Sequence, residues 1–298
     1  MWQHHSCNNP FVSLRLERST PKRRRVDPYC FWRWTYLGRN MVDMGRRQVM
    51  KAVLFPGQGS QKVGMGQELL DANEVGAEVL NRANELFDGE LLPIMLEGPM
   101  EVLTETKWTQ PAIFAHSMAL WFTHKSATDS FDMTAGHSLG EYGSLVAAEV
   151  LSFEDALSLV KIRGELMHRA GETQPGTMAA ILGLDDSVVE KVCKRISKDE
   201  HQVVPANFNS SGQIVISGHV KAVHEVMEAL QNEGAKLVKE LTVGGAFHSP
   251  LMKSAESELA SAMEDIPFEP ATMDVYSNVT ASASRDPKVL RANLLSQL

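Results

Sequence analysis

The chain has 298 residues, 43% of them hydrophobic and 22% charged, with a formal net charge of −8, a profile that excludes disordered and fibrous classes and leaves ample core. No apolar run reaches the ~20 residues of a membrane helix, and Cys7, Cys30 and Cys193 are too scattered for a disulfide framework or a metal site, so a reducing compartment fits. Ten Lys or Arg against three acids in the first fifty residues leave a net −15 on the other 248, which argues against nucleic acid as partner of the folded body and confines any docking of an acidic protein to a local patch.

Residues 1–49 lack apolar periodicity and carry Lys22-Arg23-Arg24-Arg25. Three readings compete: an Arg-rich transit peptide, poor in serine for that class; a basic nucleic-acid-binding arm; and a mis-assigned start. On the last, Met50 is the true first residue, and Arg46-Arg47 is a ribosome-binding purine tract read as codons. None of the three contributes to the fold.

From residue 51 the pattern is α/β. Ala52-Val53-Leu54-Phe55 reads as a buried strand ending in the loop Pro56-Gly57-Gln58-Gly59-Ser60-Gln61, too glycine-rich for a helix. A helix is expected over 66–87, with Leu69, Leu70, Val79, Leu80, Ala83 and Leu86 on its apolar face, and another over 110–125. A β-prone run at 131–135 then meets Gly136-His137-Ser138-Leu139-Gly140 and a helix-prone run at 139–150. This G-x-S-x-G pattern between strand and helix is the setting of an exposed nucleophilic serine, its flanking glycines supplying positive φ and close approach. Ser152-Phe153-Glu154-Asp155 is a capping box opening a helix to about residue 170. A second unit follows: strand 178–183, helix 185–198, strands 203–207 and 213–217, helix 219–233, strand 236–243. That βαββαβ order is a ferredoxin-like split unit.

Two residue classes carry candidate chemistry. Arg163 shares a helical stripe with Ala156, Val160 and Met167, so its guanidinium must find an anionic partner or snorkel to water. Among ten histidines, His137 sits on the serine's own turn and points elsewhere, and His116, His124, His168 and His224 fall in expected helices. His248 lies in the compact loop Gly244-Gly245-Ala246-Phe247-His248-Ser249-Pro250, suited to overhanging a cleft. Composition does not select among them.

The serine turn and the Gln58 loop together resemble the malonyl-CoA:acyl carrier protein transacylase family, acyltransferases of fatty acid and polyketide synthesis. The resemblance runs in order over about 51–298. It takes in Thr109-Gln110-Pro111-Ala112, Gly140-Glu141-Tyr142, Ile162-Arg163-Gly164, Gly176-Thr177-Met178-Ala179-Ala180, Asn207-Phe208-Asn209-Ser210, Gly245-Ala246-Phe247-His248-Ser249 and Ser277-Asn278-Val279. It implies a hydrolase-like, parallel-sheet large domain over 50–173 and 244–298 and an inserted ferredoxin-like subdomain over 174–243, with the active site between them. It also implies Ser138 as nucleophile, His248 as base, and an oxyanion hole from the Leu139 and Gln58 amides. Arg163 would bind the malonyl carboxylate, and the Gln297 carbonyl would orient the base. Gly245-Ala246-Phe247-His248 is similar to malonyl-selective members, which implies that Phe247 excludes a 2-methyl branch.

Members of that family without a leader begin at the position of Met50 and continue several tens of residues past that of Leu298. The large domain is therefore expected to be truncated at its C-terminus, with an exposed sheet edge and apolar face. The resemblance implies a monomeric cytoplasmic enzyme, or a mitochondrial or plastid one if 1–49 is a transit peptide. Its partners would be malonyl-CoA and acyl carrier protein, with no metal, no redox cofactor, no nucleic acid and no membrane. The competing functions are a serine esterase or thioesterase, whose Ser–acid–His order shows no recognisable acid here, and an inactive truncated remnant.

Overall fold

The computed structural model describes residues 50–125 and 130–298; residues 1–49, with Cys7, Cys30 and the three readings of that segment, lie outside the described residues. The elements in chain order are β1 (Ala52–Phe55), α1 (Gln67–Ala72), α2 (Glu74–Leu86), α3 (Leu91–Glu97), α4 (Met100–Leu103), α5 (Thr106–His124), β2 (Met133–Gly136), α6 (Gly140–Ala147) and α7 (Phe153–Thr173). Then come β3 (Gly176–Leu182), α8 (Asp186–Ile196), β4 (Val203–Ser210), β5 (Gln213–His219), α9 (Val220–Asn232), β6 (Leu237–Glu240), α10 (Lys253–Ala262), β7 (Asp274–Ser277), β8 (Ser282–Ser284) and α11 (Pro287–Ser296).

The fold is α/β with two sheets. In the first, β1, β2 and β7 are parallel neighbours and β8 adds antiparallel to β7. All of β2 is buried, as expected of a central parallel strand covered on both faces. Helices α2, α3, α5, α6 and α7 contribute Leu80, Leu91, Phe114, Tyr142 and Leu159 to the core around it.

The second sheet is antiparallel in the order β4-β5-β3-β6. Its strands alternate between two cores, as a period of two requires. Ala179, Ile181, Ile214 and Ile216 pack with Val189, Val192, Val223 and Leu230 of α8 and α9, whereas Met178, Val215 and Ala206 face the large body.

The helix expected over 66–87 is two helices. Asn73 is extended at φ −144° and its side chain accepts a hydrogen bond from the Gly76 amide, so it caps α2 and breaks the run. Helix α5 begins at Thr106 rather than 110, with Pro111 inside it; the Thr109 hydroxyl, bonded to the Leu103 carbonyl at 2.6 Å, secures the turn before the proline. Ser152 caps α7, accepting from the Asp155 amide at 3.0 Å. No described helix is long and apolar enough to cross a membrane.

Candidate active site

Strand β2 delivers the chain to Ser138, and α6 carries it away. Ser138 holds φ at +53°, a left-handed conformation that L-residues adopt at a cost and that sharp nucleophile turns impose. The expectation that the flanking glycines supply positive φ is corrected here, because the serine itself takes it. The glycines are needed for space: a Cβ on Gly136 would sit 1.9 Å from the Gly140 carbonyl carbon, and one on Gly140 would sit 2.3 Å from the Phe55 carbonyl oxygen. Strand β1 and the turn are thus pressed together, and the loop after β1 is brought beside Ser138.

In that geometry the His137 amide donates to Phe55 O at 3.0 Å, the Ser138 amide to Asn278 Oδ1 at 3.0 Å, and the Gly140 amide to His137 O at 2.9 Å. The Leu139 and Gln58 amides donate to no acceptor among the described residues. Unsatisfied N–H groups at a helix start and in a glycine-rich loop are suited to a developing oxyanion.

The Ser138 hydroxyl lies 3.0 Å from His248 Nε2, and His248 Nδ1 lies 2.7 Å from the Gln297 backbone oxygen. A carbonyl only accepts, so Nδ1 carries the hydrogen and Nε2 presents its lone pair to the serine. That is the tautomer a general base needs. His248 is 4% exposed; burial, reinforced by the Arg163 charge, pushes its pKa down to about 3. The imidazole is therefore neutral throughout the neutral range, with Nε2 unprotonated and able to accept the serine's hydrogen.

Arg163 is 1% exposed, so the snorkelling alternative is not adopted. Its Nη1 donates to Gln110 Oε1 at 2.7 Å, and its Nη2 donates to Ser138 Oγ at 3.1 Å and to Gln297 Oε1 at 3.0 Å. The guanidinium also lies over the Tyr142 ring, 5.7 Å from its centroid. These are neutral partners, a setting in which an incoming carboxylate is the stronger acceptor. Phe247 is buried in the loop immediately before His248.

His137 turns away from the serine, its Nε2 lying 3.1 Å from Asn209 Oδ1 on β4, which ties the turn to the antiparallel sheet. His116, His124, His168 and His224 fall on α5, α7 and α9; His168 faces Glu172 at 3.6 Å and His224 faces Glu240 at 3.1 Å.

Sequence reasoning missed roles for Gln110, Glu141, Asn278 and the Gln297 side chain. Glu141 is fully buried on α6. Its Oε2 accepts from the Asn278 amide at 3.1 Å, from Asn278 Nδ2, and from Gln297 Nε2 at 2.9 Å. Burial raises its pKa to about 7 against the pull of these donors. A carboxylate three residues after the serine, in an otherwise uncharged helix, is the one signal the sequence held for this cluster.

An acyl transferase domain family matches residues 53–295. Over 247 residues the chain is 45% identical to a malonyl CoA-acyl carrier protein transacylase of Staphylococcus aureus strain MW2, covering 83% of this chain and 80% of that protein. Among solved structures, the malonyl CoA-acyl carrier protein transacylase of Coxiella burnetii superposes with a TM-score of 0.78 at 36% identity, covering 83% of this chain and 78% of that one. A malonyl-transacylase in complex with its type II polyketide acyl-carrier protein gives 0.79 at 38% identity, covering 83% and 80%.

Proposed function

The chain belongs to the malonyl-CoA:acyl carrier protein transacylase family, and from that premise we propose how its own residues move a malonyl group from coenzyme A to a carrier protein's phosphopantetheine thiol. Ser138 Oγ attacks the thioester carbonyl as His248 Nε2 takes its proton. The Leu139 and Gln58 amides hold the oxyanion, each such donor worth about 3–4 kcal/mol in the barrier. The tetrahedral intermediate expels the coenzyme A thiolate, which His248 protonates, leaving malonyl-Ser138. The carrier thiol, deprotonated by His248, then attacks that ester; the second tetrahedral intermediate expels Ser138 Oγ, which the protonated His248 reprotonates, and the malonyl group leaves as the carrier's thioester.

The observation that carries this reading is Ser138 Oγ placed between His248 Nε2 at 3.0 Å and Arg163 Nη2 at 3.1 Å. A base on one side and a buried cation on the other suit an acyl group ending in a carboxylate. A plain esterase has no use for that cation, and His248 leans on a backbone carbonyl rather than on the acid of a Ser–acid–His triad. Phe247 is read as the wall against a 2-methyl branch. The antiparallel order β4-β5-β3-β6, with α8 and α9 on one face, supports a ferredoxin-like subdomain over 174–243, inserted in a large domain over 50–173 and 244–298. The reading takes the enzyme as a cytoplasmic monomer without metal or redox cofactor, acting on malonyl-CoA and acyl carrier protein, away from membranes and nucleic acid.

The test is intact mass after exposure to malonyl-CoA. The protein should gain one malonyl group, and Ser138→Ala should abolish the gain. Malonyl found on another residue in that variant overturns the assignment.

A further inference from the structure

Beside the reacting atoms lies a buried acid that the transfer mechanism does not use. Glu141 Oε2 collects three hydrogen bonds, and the Ser277 hydroxyl beside the carboxylate helps to hold its charge. Taking a carboxylate out of water is costly, so what its charge holds in place matters.

One arm leads to Gln297, itself fully buried. Its amide nitrogen donates to Glu141 Oε2 at 2.9 Å and to the Ser138 carbonyl at 3.2 Å, while its amide oxygen accepts from Arg163 Nη2 at 3.0 Å. A flipped amide would set NH₂ against a guanidinium and oxygen against a carboxylate. When Glu141 is ionised, opposite charges at the two ends therefore permit one orientation. Gln297 is also the C-terminal cap of α11, where backbone carbonyls lie beyond the helical ladder and are free to accept from elsewhere. That carbonyl holds His248 Nδ1 at 2.7 Å. Helix ends fray, and a side chain pinned on both sides keeps this one still.

The other arm leads to Asn278, which donates to Glu141 and to the Gly136 carbonyl and accepts from the Ser138 amide at 3.0 Å. The carboxylate thus underlies both the serine turn and the support of the base.

We propose that Glu141 is a positioning residue for acyl transfer: acting through the Gln297 side chain, it fixes the backbone carbonyl that orients His248. The proposal rests on the assignment of Ser138 and His248 above. The role an acid plays in a Ser–His–Asp triad is here passed back one residue, through an amide side chain to a peptide carbonyl.

Single-turnover acylation by malonyl-CoA, read by quenched intact mass over a range of substrate concentration, separates the rate constant from half-saturation. Glu141→Met keeps the volume and removes the acceptor. It should slow acylation about 100-fold, the effect of misplacing a reacting group by an ångström. Half-saturation should stay within about threefold of wild type, since binding is not what is lost. Glu141→Gln keeps an oxygen acceptor and should recover the rate to within about tenfold. Gln297→Met should resemble Glu141→Met, and the double variant should be no slower than the slower single, the mark of residues acting as one unit. The proposal is overturned by wild-type rates in both single Met variants, by multiplying effects in the double variant, or by half-saturation rising in step with the rate loss. Should Glu141→Met fail to fold by circular dichroism, the cycle of Glu141→Gln with Gln297→Met decides by the same criterion. Ser138→Ala runs alongside: acylation of that variant refutes the nucleophile assignment, whatever Glu141 does.

Discussion

In the antiparallel sheet, Thr177, Asn207 and Ser217 are buried; the Thr177 hydroxyl donates to Glu240 at 2.9 Å, and Ser217 Oγ has no partner among the described residues. Around the end of β2, by contrast, Gln110, Ser138, Glu141, Arg163, His248, Asn278 and Gln297 are buried and bonded to one another. Both regions have apolar cores; they differ in where polar burial is concentrated. Burying polar atoms is destabilising unless each finds a partner, so a connected buried cluster marks where a fold gives up stability for chemistry. The small sheet is tied to the site by Asn209 Oδ1, 3.1 Å from His137 Nε2.

The small core should weaken without disturbing the chemistry. Leu230 is fully buried there, and Leu230→Ala should cost about 2–5 kcal/mol in urea denaturation. Malonyl transfer per folded molecule should stay unchanged; a parallel fall in specific activity would mean that the small core reaches the chemistry. On the other side of the comparison, Arg163→Ala removes a charge-assisted contact worth about 1.5–3 kcal/mol. It should depress malonyl transfer far more than acetyl transfer, because only malonyl brings a carboxylate. Equal losses would return Arg163 to a structural role.

The smallest effect falls where the two regions meet. Phe247→Ser should raise kcat/KM for methylmalonyl-CoA relative to malonyl-CoA by the equivalent of about 1–3 kcal/mol, the range over which a pocket discriminates one methyl. An unchanged ratio with lower stability would show that Phe247 only packs the junction.

Much of this was legible from the sequence because local rules applied. Alternation and caps located β3 to β6 and α7, and the serine turn lay between a strand and a helix as its glycines required. The breaks were less legible. Asn73 reads equally as a helix residue or a cap until its side chain is seen on the Gly76 amide. The buried cluster was least legible of all. Glu141 meets Asn278 across 137 positions and Gln297 across 156, and no periodicity reports partners so distant. The left-handed φ of Ser138 was likewise assigned to the wrong residues, because glycine's freedom and glycine's small size leave the same mark in a sequence.

The two-residue connection between β4 and β5 has a kinetic counterpart. Residues 211–212 join those strands, so their pairing closes a short loop and can form early. Ser138 meets His248 across 110 positions and Gln297 across 159. Closing such loops carries an entropy cost before any contact rewards it, and topologies rich in them fold slowly. On refolding from denaturant, the β4–β5 hairpin should form well before Ser138, the proposed nucleophile, meets His248, so that acylation would be a late and demanding reporter of the native state.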